Sequence, residues 1–184
     1  MKNKLILLIL TFFLITNCVG TASSNQSFNV SGTYLGSNVT VTAPTGFEVC
    51  ATSGGSYTSS ITFSPTNGTL SSTAVYVRIA SGTSAGTPSG SVACSATAAT
   101  TVNVSASGTA TAAPNAGTLS GTQAVCSSGS TTFSSSGDAG GTFTSGTTGV
   151  ATVNSSSGAI SGVSAGTSTI TYTVSGSGGC SDAT

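Results

Sequence analysis

The chain has 184 residues; only six carry a formal charge, none is His or Trp, Ser and Thr exceed a third of the total, and Gly adds 25. Nucleic acid is excluded as a partner, because phosphate binding needs clustered Lys and Arg, and histidine-based acid–base or metal chemistry is excluded with it. Disordered chains combine low hydrophobicity with high net charge; here the formal net charge is zero and Val, Ile, Phe and Tyr recur in short alternating runs, which is the composition of a secreted β protein.

Lys2 and Lys4 precede a nearly continuous apolar run over residues 5–15, broken by Thr11. This pattern predicts a signal peptide over residues 1–20. The run is too short for a membrane span, which needs roughly 20 apolar residues. A buried N-terminal strand is the competing reading. Two cuts suit a signal peptidase, one after Gly20 and one after Ala22. Leu14-Ile15-Thr16-Asn17-Cys18 is also a loose lipoprotein cleavage box, in which Cys18 would become the lipidated first residue, although Asn17 stands where Gly, Ala or Ser is usual. The expected location is secreted or on the outer cell surface, and contact with a membrane is expected only through a lipid anchor.

Beyond the leader, the chain divides near residue 112. A first β-sandwich repeat domain is expected over residues 23–110, a small-residue linker containing Pro114 over 111–117, and a second domain over 118–184. No segment shows a 3.6-residue period, and the Ser, Thr, Gly and Val content disfavours helix. Strands are expected in the first unit at 28–33, 39–41, 47–49, 57–63, 75–79, 91–95 and 101–106. The clearest is Val75-Tyr76-Val77-Arg78-Ile79, which points Val75, Val77 and Ile79 inward and Tyr76 and Arg78 outward. Seven short strands with turns every eight to twelve residues form the pattern of a sandwich. The second unit has candidates at 122–126, 131–133, 141–144, 150–153, 159–160 and 168–174. The fold class expected is all-β, two consecutive Ig-like, Greek-key sandwiches, each with a thin core.

With the leader removed, four cysteines remain, two in each unit, which favours the pairs Cys50–Cys94 and Cys126–Cys180. Each bridge would stabilise its unit by about 4 kcal/mol in the chain-entropy model, and export makes oxidation reasonable. The first pair carries a difficulty: if Phe47 and Val49 face inward, Cys50 faces outward unless the strand bulges, whereas Cys94 faces with Val92. Zinc sites use close Cys pairs, which are absent, and a Cys nucleophile needs a nearby base, so no metal and no cofactor is expected.

The run Val150-Ala-Thr-Val153-Asn-Ser-Ser-Ser-Gly158-Ala-Ile160-Ser-Gly162-Val-Ser-Ala-Gly166-Thr-Ser-Thr-Ile170-Thr-Tyr172 resembles bacterial Ig-like group 2 domains. The flanking Cys126 and Gly179-Cys180 resemble the variant abundant in surface proteins of Bacteroidetes. That resemblance implies a core aromatic in the strand holding Phe143, where the family often has Trp. Gly158 fits a turn at positive φ, and Gly162 and Gly166 bracket a chain reversal. In the first unit Val41-Thr-Ala-Pro44-Thr-Gly46-Phe47-Glu48-Val49, Ile61-Thr-Phe63 and Val75-Tyr76-Val77-Arg78 resemble a β-sandwich repeat of long secreted proteins of the same bacteria. In such proteins these repeats sit beside active or sorting domains, so the chain is also compatible with being a piece of something longer.

Single residues add little chemistry. Arg78 and Glu48 suit a cross-strand pair better than a ligand site. Asp138, beside Gly137 and Gly140, is one carboxylate where calcium needs several. Asn25, Asn29, Asn38, Asn67, Asn103 and Asn154 each begin an N-x-S/T triplet, which this Ser/Thr density produces by chance. Tyr34, Tyr57 and Tyr76 suit core edges or an exposed binding strip. No residue takes a catalytic role, and an enzyme is not expected. The function expected is a non-catalytic extracellular or cell-surface structural and adhesion module, self-associating through weakly charged edges. The alternative is a binding module for polysaccharide or another surface protein, so the partners to consider are a homo-oligomer, a surface protein and a polysaccharide.

Overall fold

The structure, a computed structural model, describes residues 4–8 and 14–184. Residues 1–3 and 9–13 of the expected leader lie outside the described residues. The described secondary structure is all β, and the chain divides into two compact units, Met1–Ala112 and Ala113–Thr184.

The first unit is built from two sheets. One contains β1 (Lys4–Leu8), β3 (Gln26–Thr33), β7 (Leu70–Ile79) and β5 (Phe47–Cys50), in the order β1-β3-β7-β5 and antiparallel throughout. The other contains β2 (Leu14–Cys18), β9 (Val102–Thr111), β8 (Ser89–Ser95), β4 (Val39–Thr42) and β6 (Ser60–Phe63), in the order β2-β9-β8-β4-β6. Among the described strands only β2 runs parallel to its neighbour, Leu14 lying opposite Ser107 and Cys18 opposite Thr111.

Alternation along the strands sends one face of each sheet into a shared core. Val75, Val77 and Ile79 are buried in β7, Phe28 and Val30 in β3, Val39 and Val41 in β4, Val92 and Cys94 in β8, and Val104 and Ala106 in β9. Asn103 and Ser105, which alternate with these last, stay exposed. Period-two alternation is what a strand with one covered face requires, because successive side chains point to opposite sides.

Two expectations change here, and one expected leader segment takes a place in the fold. The strand expected at 57–63 is split. Thr58 exchanges backbone hydrogen bonds of 2.8 and 2.9 Å with Val49 of β5, and only from Ser60 does the chain pair with β4 in the other sheet. β9 runs past residue 106 to Thr111, which places the start of the expected linker in a strand. The segment Leu14–Cys18, read as leader, is paired with β9, and Ile15 is 2% exposed in the core. Gly108 makes this approach possible, since a Cβ there would collide with the Ile15 carbonyl oxygen.

The second unit carries shorter elements: β10 (Leu119–Ser120) with β12 (Ser134–Ser135); β11 (Ser130–Thr132), β15 (Ala159–Gly162) and β14 (Ala151–Val153); and β13 (Thr142–Ser145) with β16 (Ile170–Thr173). Its core is small. Ala116, Phe143, Tyr172 and Val174 are buried, with Leu119, Phe133, Val153 and Ile170 packed partly against them. Phe143 and Tyr172 lie opposite each other in register, their ring centroids 4.6 Å apart. Phe143 thus fills the core. The Tyr172 hydroxyl donates to the Asp138 carbonyl at 2.8 Å and accepts from the Gly141 N–H at 2.8 Å, so the polar end of this buried ring is satisfied.

Gly158 has the expected positive φ, +70°, in a turn closed by Asn154, whose side-chain oxygen accepts from the N–H groups of Ser156 and Ser157. Residues 122–126 do not form a strand. Val125 is the single large aliphatic residue there, and the chain turns at Ser128, where φ is +64°. One apolar side chain gives this stretch no face to bury. Ala116, read as part of the linker, is instead buried.

Candidate functional site

The charged residues beyond the expected leader are Arg78, Glu48, Asp138 and Asp182. Glu48 and Arg78 stand directly opposite each other on β5 and β7, on the face turned away from the core. Their side chains form an ion pair, Arg78 Nε donating to Glu48 Oε1 at 2.6 Å. The strand-switching segment at Thr58 brings Tyr57 over this pair, and the guanidinium sits 3.8 Å from the ring centroid. Burial raises the Tyr57 phenol above its ordinary value; Arg78 and Asn25 pull it back, while Cys50 and Glu48 add to the rise. The sequence reading placed Arg78 outward as a cross-strand partner, and the geometry agrees. It did not foresee that Tyr57 is covered by Arg78, because residues 57–63 read as one uninterrupted strand. The stacked guanidinium occupies a ring face that a sugar would otherwise use.

We expect Arg78→Ala to cost about 1 kcal/mol, combining a partly exposed ion pair with a surface cation–π contact. Urea unfolding at low and high salt checks this. The cost should shrink in high salt as the ion pair is screened, and a loss of several kcal/mol would contradict the exterior placement.

The acidic residues of the second unit have structural work. Asp138 Oδ2 accepts the Asn115 N–H at 2.9 Å, and Asp182 Oδ1 accepts the Gly176 N–H at 2.8 Å. Among the described residues no group of three His, Cys, Asp or Glu side chains gathers as metal ligands would.

The cysteine pairing differs from expectation. Cys50, Cys94 and Cys126 are free thiols, whereas Cys18 and Cys180 are disulfide-bonded. Neither Cys50–Cys94 nor Cys126–Cys180 is formed. Cys50 lies opposite outward-facing Tyr76 and reaches toward Thr52, at 3.9 Å, while Cys94 points into the core and is fully buried. Two thiols on opposite faces of their sheets cannot meet the short Cβ separation a disulfide needs. Cys126 is exposed on the irregular stretch before β11. Counting two cysteines per unit left Cys18 out of the possible pairs. Cys18 is buried, and its sulfur is held in a disulfide.

Burial pushes the Cys94 thiol up to about 11. An unfolded thiol ionises near 8.5. The folded state therefore holds a proton that the unfolded state releases. This contribution to stability is whole below that lower value and is lost as pH rises toward about 11, by roughly 3 kcal/mol. Urea midpoints at about pH 8 and about pH 10.5 should separate for the native sequence and separate less for Cys94→Ala. Equal pH slopes in both would refute it.

The second unit also has a cleft of about 510 Å³, lined by the irregular stretch Thr122, Gln123, Ala124 and Val125 together with Phe133, Val150, Ile160, Ile170 and the hydroxyls of Ser164, Thr167 and Ser168. No lining side chain is charged. No protein-family model matches the chain, and no curated protein matches it.

Proposed function

We propose that the chain is a non-catalytic extracellular or cell-surface module with a structural and adhesive role, composed of two Ig-like β-sandwich units and able to self-associate. One observation carries the reading: the four charged side chains beyond residue 20 are each engaged in holding the fold, Arg78 with Glu48, Asp138 with Asn115 and Asp182 with Gly176. None is left to act as an acid, a base or an electrostatic anchor in a cleft. What the surface offers instead is hydroxyl-covered strand, which packs closely without electrostatic repulsion. The leader pattern and the resemblance to bacterial Ig-like group 2 domains support placement outside the cytoplasm.

The exposed Cys126 thiol supplies the test. A membrane-impermeant maleimide added to intact cells should label the protein, and deleting its gene should weaken cell adhesion or aggregation. Labelling only after lysis would refute the reading.

The cleft of the second unit favours an alternative, a module that binds an uncharged polysaccharide or a segment of another surface protein. Its size falls in the range of ligand sites, and its lining of aliphatic groups and hydroxyls suits neutral, partly apolar surfaces.

A further inference from the structure

We propose that the cleft of the second unit receives an extended, uncharged polypeptide segment, which adds as a strand to the unpaired backbone of residues 122–125 and sets alternate aliphatic side chains on the cleft floor. This rests on the second reading above, a module that binds a segment of another surface protein, and specifies the chemistry of that segment.

The backbone points to a strand. No N–H or carbonyl of residues 122–125 has a hydrogen-bond partner among the described residues. The same holds for the main chain of Thr167 and Ser168, which line the cleft from the segment before β16. The 122–125 stretch is nonetheless fixed at both ends. At one end Gly121 lies against the Phe133 ring, where a Cβ would collide with Cδ1. At the other the Cys126 carbonyl accepts the Gly129 N–H at 2.9 Å and lies close to Gly162, whose missing Cβ leaves room for it. Between these ends no residue has a positive φ, so the stretch keeps the range that strands use. An arch held in this way presents main-chain donors and acceptors already in place, which lowers the ordering cost for a partner that pairs with them.

The floor sets the side chains of the partner. Ile160 is buried, Phe133 and Ile170 pack partly against the core, and Val150 lies against Gly166. The cleft is thus a continuation of the unit's apolar interior. Aliphatic side chains on every second residue of an extended segment reach such a floor, while those between them face away from it. No lining side chain is charged, and a charge entering here would lose its water with nothing to pair it. Two of the lining hydroxyls are already engaged, Ser164 donating to the Gly149 carbonyl at 2.7 Å and Ser168 accepting the Thr147 N–H at 3.0 Å. Gln123 is the one amide side chain of the lining, and Phe133 is its one aromatic ring, with Gly121 against it. A sugar needs an open aromatic face and several convergent polar side chains. A peptide strand is held through its main chain, and main-chain groups are what this cleft leaves unpaired.

The experiment uses the full chain and synthetic peptides acetyl-Ser-X-Ser-X-Ser-amide, with Ala, Val or Leu at both X positions, at about 1 mM. Backbone amide hydrogen exchange is read by NMR. The Gln123, Ala124 and Val125 N–H groups should exchange freely in the chain alone, and at least one of them should slow by about fivefold or more with one of the peptides. That peptide methylated on its amide nitrogens keeps every side chain but loses its donors, and it should give no protection. Lys at both X positions should give none either. Successive N–H groups of an extended segment point to opposite sides, so one of Gln123→Pro and Ala124→Pro removes the donor that faces the peptide and should weaken binding at least about tenfold. Neither substitution removes a hydrogen bond that holds the fold, and the methylated peptide tests the native chain whatever the substitutions do. No protection by any of the three peptides overturns the inference. So does equal protection by the methylated peptide, and so does native binding in both Pro variants. Protection by maltohexaose and by none of the peptides overturns it in favour of a polysaccharide. In each of these cases the surface-module reading is judged separately, by maleimide labelling of intact cells.

Discussion

Ile79→Ala is expected to destabilise the first unit by about 3–4 kcal/mol. Ile79 is fully buried and heads the largest side chains so enclosed. It lies at the end of β7, opposite Phe47 of β5, and its Cδ1 stands where a side chain on Gly108 would begin. The site cannot collapse onto a smaller residue. β7 is hydrogen-bonded on both sides, to β3 and β5, and its end is held by Ser23 on both the Ile79 N–H and carbonyl. A truncated side chain therefore leaves a cavity in addition to its lost transfer free energy. Urea unfolding should show a lower midpoint at unchanged slope, the signature of lost stability without a change in the surface exposed. A cost below about 1 kcal/mol would mean that the neighbouring strands relax into the space, against the rigidity argued here.

Phe143→Ala should do more, because the second unit has less to lose. Deleting a buried Phe costs about 3–5 kcal/mol. The centroid distance of 4.6 Å to Tyr172 marks a ring pair that adds about 0.5–1.5 kcal/mol beyond area. Domains of this size rarely hold more than about 3–5 kcal/mol from their cores, and here Ala116, Phe143, Tyr172 and Val174 form the buried cluster, with Ala151 and Ile160 the other buried apolar side chains of the unit. The variant is expected to leave the second unit unfolded and the first intact. Thermolysin digestion checks it, since trypsin has almost no sites in a chain with three Lys and Arg in all. A protected fragment ending near residue 112 is expected, and a fully protected variant would sink the prediction.

Much of the strand pattern was legible locally. Val75, Val77 and Ile79 alternate with Tyr76 and Arg78 in the sequence, and a strand with one covered face has no other way to place them. Gly158 follows Asn154 at the spacing of a turn that needs a left-handed residue, and it has one. Arg78 opposite Glu48 is a cross-strand pair between two strands that were each readable alone. The site around them was only half legible. Tyr57 is brought there by a crossing between sheets at Thr58, which has no signature in a run of Thr, Ser and Ile. Residues 122–126 carry β-prone types but too little apolar surface to be drawn into a sheet.

The amino-acid sequence by itself determined the all-β class, the inward rows of the longer strands and the scarcity of chemistry, because these follow from side-chain types and their period along a few neighbouring residues. Tertiary structure alone decided which cysteines bond, that Cys50 and Cys94 point to opposite faces, and that Leu14–Cys18 lies along β9 with Ile15 in the core. Each of these depends on which distant segments come together and which way a face turns. A pairing partner leaves no period in the strand that receives it.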